Sequence, residues 1–263
     1  MIQGKKNRKA FQTSVLWSLV ALAGGLVALP LPGQALNLSF YVKLNAAYAG
    51  RSFDYKANWS FERYLENGSV SGAYAVKTGG FTIEPGLGVL LTPNLGIELL
   101  FVPCSKSFDG TFGASFPHPF YYDKARQVEW NRSGLAYGEN ELAFNAVGRY
   151  PFLQGKMDVY LSAGGSYFIG VKVEALSDLS WQEVGYPYTD VATTPTYKKF
   201  SRGVLGFNAG GGADFFFIKG LGANIHVRYA SASWTLEVRP GVNVTIRPGG
   251  VRISAGLKYF FQI

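Results

Sequence analysis

His226 and Arg228 stand two residues apart in a stretch that alternates apolar and polar residues. Four carboxylates, Glu84, Glu98, Glu141 and Asp214, fall at the polar positions of other alternating stretches. A histidine titrates near neutral pH, so such a set can be read as a catalytic centre or a proton-sensitive gate. It can also be an interior network of salt bridges and hydrogen bonds. A nucleophilic site needs nucleophile, base and orienting group together near an opening, and sequence spacing aligns no serine and carboxylate with His226 in that way. The polar positions also carry Lys43, Arg149, Arg252 and Lys258. Charges of both signs at equivalent positions can pair, which favours the network.

The other candidates for chemistry are weaker. His118 lies in "FPHPF", where two prolines and two aromatics predict a rigid exposed turn, and it has no companions suited to a metal. "GFNAGGGAD" (206–214) is glycine-rich but lacks the following helix and lysine of a phosphate-binding loop. Cys104, the only cysteine, is expected to be a small buried or rim residue and excludes an intramolecular disulfide. No cofactor and no metal are expected.

The elements that carry these residues are strands. Reading back from Ile263, the residues Phe261, Tyr259, Leu257, Ala255, Ile253 and Val251 share one face, while Lys258, Ser254 and Arg252 share the other. This is the period of two that marks a strand with one apolar face. The same alternation recurs at Leu38–Tyr48, Phe81–Leu91, Leu95–Phe101, Leu142–Tyr150, Val159–Ile169, Leu205–Phe215 and Leu221–Tyr229. With the last strand this makes eight, although Trp234–Val238 and Val242–Ile246 could extend the final hairpin. The connections alternate in length: 50–79, 104–138 and 172–202 are long, while 92–94, 151–157 and 217–220 are short. An up-and-down antiparallel meander, with tight turns at one end and long loops at the other, accounts for this.

The N-terminus reads as an export signal. Lys5, Lys6, Arg8 and Lys9 precede a nearly unbroken apolar run from Val15 to Leu31, and Gly33-Gln34-Ala35 supplies small residues for cleavage after Ala35. A membrane anchor is the competing reading, but the apolar run is short for one. The expected organisation is a signal peptide at 1–35 and one barrel domain at 36–263. Removing 1–35 takes away four basic and no acidic residues, so the net charge falls from +8 to +4. Nucleic-acid binding is therefore not expected.

The two faces decide which kind of barrel this is. A soluble barrel is apolar inside. Here the polar face carries the charges and many glycines, which suits a crowded lumen, and the apolar face continues from strand to strand, as lipid contact requires. Tyr48, Phe101, Tyr150, Tyr167, Tyr229 and Phe261 fall near strand ends, where interfacial aromatics belong. Closure pairs every backbone group within the hydrocarbon.

In "LGIELLF", "GKMDVYLSAGGSYF", "GFNAGGGADFFFIKGLGANIHVRY" and "GGVRISAGLKYFF" the chain resembles the small outer membrane β-barrel proteins of Gram-negative bacteria, of the OmpA transmembrane-domain, OmpW and opacity-protein kind. The resemblance implies an all-β, eight-stranded transmembrane barrel with long extracellular loops, located in the outer membrane. It implies contact with outer membrane lipid and lipopolysaccharide, and with the barrel-assembly machinery through the C-terminal strand. The family usually ends on Phe, and Ile263 departs from that.

The functional expectation is a non-enzymatic structural or surface-interaction protein. Its lumen would be filled by Lys43, Glu84, Glu98, Glu141, Arg149, Asp214, His226, Arg228, Arg252 and Lys258. Its loop surface, for a ligand the sequence does not name, would carry Trp59, Tyr64, Tyr121, Tyr122, Trp130 and Trp181. A narrow channel for ions or small apolar solutes and a lipid-modifying enzyme are the alternatives.

Overall fold

The computed structural model describes residues 38–262. The expected signal peptide and Ile263 lie outside the described residues. Ten strands follow in chain order: β1 (Ser39–Arg63), β2 (Glu66–Leu90), β3 (Leu95–Phe116), β4 (Arg126–Phe152), β5 (Met157–Val184), β6 (Asp190–Ile218), β7 (Leu221–Ala232), β8 (Trp234–Arg239), β9 (Val242–Ile246) and β10 (Gly249–Gln262). Eight of them close an antiparallel ring in the order β1-β10-β7-β6-β5-β4-β3-β2. The last strand seals the ring against the first, with Lys43 opposite Lys258 and Tyr48 opposite Ile253. The remaining two strands, β8 and β9, form a separate hairpin, which resolves the choice between eight strands and ten.

The expected long loops are corrected. The segments 50–79, 104–138 and 172–202 are mostly strand, so β1 to β6 run far past the ends of β7 and β10. β1 and β2 pair continuously from Ser39↔Leu90 to Arg63↔Glu66, and only Tyr64 and Leu65 turn the chain. Both turn residues have positive φ, 53° and 62°. That is the backbone of a tight hairpin turn usually built from Asn or Gly, so Tyr-Leu gives no turn signal in the sequence.

The exterior changes character along these strands. In the half near the short turns it is apolar, with Leu44, Ile83, Leu99, Phe144, Leu161, Phe207, Val227 and Ile253 exposed, one from each ring strand. Tyr48 and Phe81 pack edge to face at 5.5 Å toward its upper border, and Tyr259 stacks near Phe261 at its lower one. Burying such residues in hydrocarbon is favourable, whereas water contact over so continuous a surface is not. No helix among the described residues is long and apolar enough to cross a membrane; the strands cross. A closed ring with this exterior and a charged interior is a barrel of the outer-membrane type.

Above the band the same period of two persists with the faces exchanged. On β1, Lys43 and Asn45 point inward below, while Tyr55 and Ala57 point inward above, with Lys56 and Asn58 exposed between and beyond them. The upper interior is an apolar core that includes Tyr55, Tyr74, Phe112, Phe116, Leu135 and Val173. The β8–β9 hairpin covers it. Trp234, Leu236, Val238, Val244 and Ile246 face the core, while Thr235, Glu237, Asn243 and Thr245 face out. The hairpin touches β1 and β5, and Arg239 at its end reaches Asp178 at 3.2 Å and the Trp59 ring at 5.6 Å. Gly249 brings the chain back to the barrel at φ 112°, where a Cβ would lie 2.2 Å from the Ala230 carbonyl oxygen.

One seam of the wall is interrupted. β2 and β3 pair from Leu90↔Gly96 to Gly86↔Leu100, then again from Ala73↔Thr111, with β2 running two residues longer between these rungs. Pro103 lies in the break and Pro85 at its lower edge. Proline cannot donate to a ladder, so it belongs where a partner strand is missing.

Candidate functional site

The lumen holds a continuous column of polar side chains, and nearly all of its charged members are fully buried. At the lower mouth Arg149, still partly exposed, pairs with Asp158 and lies 4.9 Å from the Phe260 ring. Next, Lys258 bonds Asp214 at 2.7 Å and sits 4.2 Å from the Tyr41 ring. Asn224 donates to Asp214 at 2.6 Å and to the Tyr160 hydroxyl at 2.8 Å. Lys43 meets Glu98 at 2.8 Å, and the Tyr41 hydroxyl donates to the same carboxylate at 3.1 Å.

Higher in the column, Asn45 links Asn224 and Ser254, at 3.0 and 3.3 Å. Arg228 makes a two-pronged pair with Glu141, at 2.7 and 3.3 Å, and reaches Glu84 at 3.7 Å. Arg252 bridges Glu141 and Glu139. Tyr137 donates to Glu139 at 2.5 Å, and the apolar core begins above it. Taking ions out of water is costly unless each is paired, and each buried ion of this column has a neighbour of opposite charge, although Arg228 Nε, Arg252 Nε and the Asn145 amide make no hydrogen bond.

All ten predicted interior residues face the lumen and join this column. Sequence reasoning left out Tyr41, Asn45, Glu139, Asp158, Tyr160 and Asn224. Four of these stand at the polar positions of the alternation, and only the weight given to formal charge hid them. Glu139 and Asp158 fell outside the expected strands. The glycines of the polar face make room: a Cβ on Gly88 would lie 2.1 Å from Tyr41 Cζ, and one on Gly212 would lie 2.6 Å from the Tyr160 hydroxyl.

The fold brings a serine and a carboxylate beside His226, though not near an opening. Ser162 Oγ lies 3.5 Å from His226 Nε2, and His226 Nδ1 lies 3.9 Å from Glu84 Oε1. The order of groups is that of a hydrolase triad. Its spacing is longer than the hydrogen-bond reach of a working nucleophile and base, about 2.6–3.2 Å. All three side chains are buried inside the column, and neither the cavity at the wall break nor that at the lower mouth touches them.

The predicted loop surface divides in two. Trp59, Trp130 and Trp181 are half-buried against the upper core: Trp130 donates to the Tyr197 hydroxyl at 3.0 Å, and Trp181 packs on Phe61 at 4.6 Å. For these three, the reading as an exposed loop surface is corrected to packing. Tyr64, Tyr121 and Tyr122 are exposed, and Phe120 and Tyr186 beside them are too. A bidentate pair between Arg126 and Glu183 ties the tips together, and Tyr64 donates to Glu183 at 3.3 Å. The hydrogen bonds from Arg126 hold the Glu183 carboxyl below its usual range. Burial pushes the Tyr74 hydroxyl of the upper core well up.

His118 is buried rather than exposed. Its Nδ1 accepts the backbone N–H groups of Phe120 and Tyr121, at 3.1 and 3.3 Å, and so fixes the turn. Cys104 is half-buried at the wall break. It lines a cavity of about 240 Å³ with Phe81, Thr82, Pro103 and Lys106. Among the described residues no group of His, Cys, Asp and Glu is placed to hold a metal.

No family model matches the chain, and no curated protein matches it in sequence. Among solved structures it is similar to the outer membrane protein OprG from Pseudomonas aeruginosa, at 10% identity and a TM-score of 0.45, over 86% of this chain and 96% of that one. It is similar to Neisserial surface protein A at 14% identity and a TM-score of 0.42, over 84% and 97%. The outer membrane protease OmpT from Escherichia coli is similar at 11% identity and a TM-score of 0.43, over 86% and 97%. The assignment as an outer-membrane-type barrel rests on the closed ring and its two faces.

Proposed function

We propose that this barrel is a non-enzymatic structural and surface-interaction protein that presents its extended tip to the cell exterior and does not serve as a diffusion pore. The observation that carries this reading is the double filling of the interior: an ionic column within the membrane and an apolar core above it. A small barrel interior is only wide enough for its own side chains, and here they are large and paired. The exposed aromatics Tyr64, Phe120, Tyr121, Tyr122 and Tyr186 supply the interaction surface, since rigid aromatic anchors bind at low entropic cost. Ser162, His226 and Glu84 belong to the column. Lipopolysaccharide around the barrel and the assembly machinery at β10 complete the set of partners.

The test is conductance of the folded protein in a planar lipid bilayer, with insertion established by the mobility shift on heating. The expected result is silence. Discrete, reproducible openings would replace this reading with a channel.

A second reading is favoured by the break between β2 and β3. On this reading the wall cavity lined by Gly80, Phe81, Pro103 and Lys106 is the sideways entry for small apolar solutes between lipid and barrel. Uptake of an apolar reporter into vesicles carrying the protein tests it. Faster uptake than in empty vesicles, lost in Gly80→Leu, supports the route. Equal uptake with and without the protein removes it.

A further inference from the structure

We infer that the lower mouth of the barrel is a blind binding site for a small carboxylate with an apolar body, entered from the side of the short turns. The inference goes beyond the proposed surface role and does not depend on it. A cavity of about 810 Å³ opens there, within the range of about 300–1,000 Å³ usual for small-molecule sites. Five ring strands and two turns line it. Its floor is the start of the ionic column, where Arg149 pairs with Asp158. Its inner wall is Leu90, Phe216 and Phe260, which share the lumen face of their strands with Glu84, Asp214 and Lys258. The Phe216 and Phe260 rings lie 5.6 Å apart, and the Arg149 guanidinium is 5.7 and 4.9 Å from them.

The rim supplies the charge. Lys156 and Lys219 line the cavity, are exposed, and form no ion pair with a described residue. The short turns at 91–94, 153–156 and 219–220 hold these two lysines and no Asp or Glu. Asp158 and Asp214, the nearest carboxylates along the strands, are buried and already paired. The rim is also fixed in place. Leu153 and Gln154 take positive φ, 48° and 56°, an uncommon backbone for such side chains. The Phe216 N–H donates to the Lys156 carbonyl at 2.9 Å, and the Phe260 N–H to the Gly220 carbonyl at 2.6 Å. Both lysine-bearing turns are thus tied to the strands that carry the two rings. Backbone held in a sparsely populated conformation at a cavity edge points to function, and a preset rim lowers the cost of ordering on binding. Two unpaired cations over an aromatic wall ask for an anion with an apolar body. A lipid of the adjoining leaflet has its acyl chains outside the ring, where Phe217 and Phe261 stand, whereas Leu90, Phe216 and Phe260 face the lumen. A free carboxylate on a short apolar body meets both the lysines and the inner wall.

The probe is 3-phenylpropionate, with the neutral 3-phenylpropanamide as its control. Each is titrated into the folded protein in phosphatidylcholine nanodiscs, and backbone amide shifts are followed by NMR. Saturable shifts at Arg149, 153–156 and 217–220 are expected for the acid, with the amide binding about tenfold more weakly. K156Q and K219Q should each weaken the acid by about fivefold, the upper end for a partly exposed ion pair, and K156Q/K219Q further, while K56Q/K124Q at the other end binds as before. L90W, which fills the inner wall, should abolish the shifts while keeping the heating shift of a folded barrel. Equal binding of acid and amide, full binding by K156Q/K219Q, or no saturable shift in folded protein would overturn the proposal. Displacement of the acid by phosphatidylglycerol added to the nanodiscs would also overturn it, by showing that the mouth belongs to lipid. Conductance tests the surface-role reading separately.

Discussion

Arg228 of β7 and Glu141 of β4 join non-adjacent walls of the barrel through two hydrogen bonds of 2.7 and 3.3 Å. Arg252 of β10 reaches the same carboxylate. One buried anion therefore holds two buried cations, and the lumen is cross-braced at the level where the ionic column ends.

Removing that anion should be costly. Glu141→Ala leaves two guanidinium groups facing each other without their shared partner. The expected loss is about 3–5 kcal/mol, the usual cost of breaking a buried pair by deleting one member. Urea unfolding in vesicles, followed by the heating shift, measures it. Adding Arg228→Met to Glu141→Ala should recover part of the loss.

The glycine at position 88 is predicted to be a spacing residue for Tyr41. Gly88→Val should destabilise the barrel by about 1–3 kcal/mol, as overpacking does. Tyr41→Ala in the same chain should restore stability relative to Gly88→Val alone. No rescue in the same unfolding assay would mean that the 2.1 Å approach is not what excludes a side chain there.

The exchange of faces along β5 gives a paired test. Leu161→Arg, in the apolar band, should cost about 2–4 kcal/mol if it lies near the membrane midplane. Ser180→Arg, on the exposed face of the upper strand, should leave stability unchanged. Tyr74→Ala should remove a stacked partner of Tyr55, at 4.1 Å, and make the upper strands sensitive to protease. The lipid-embedded half should stay protected.

The tip should loosen in acid. Hydrogen bonds from Arg126 hold the Glu183 carboxyl below its usual range. A depressed carboxyl contributes stability above its unfolded pKa, near 4.3, and loses it as pH falls through the lower folded value. Cleavage of the turns at 117–125 and 185–189 should therefore rise with falling pH at the acid end of that window. Glu183→Gln should show raised cleavage at neutral pH and little further change in acid.

Much of the barrel was legible because side-chain direction in a strand alternates whatever the strand pairs with. The parity of Lys43, Glu84, Arg228 and Lys258 is local information, and all four face the lumen. The strand extensions were hidden for two reasons. Tyr64 and Leu65 turn the chain without a glycine or asparagine. The aromatics of 53–64 and 108–130 also break the pattern of polar inside and apolar outside learned from the lower strands. Pro85 and Pro103 were a readable signal for the wall break, since a proline within a strand argues for a missing partner.

The sequence by itself determined the strand period, the face on which each side chain stands, the short turns such as Thr92-Pro93-Asn94, and a charged face opposite an apolar one. These depend on neighbouring residues alone. Only the tertiary structure decided that Ser162 approaches His226, that Glu141 serves two arginines, and that the β8–β9 hairpin covers a core. Such contacts depend on register and on which strands close the ring. The same holds for the meaning of each face: lipid surrounds the lower strands and water the upper ones, so one alternation places charges inside below and aromatics inside above.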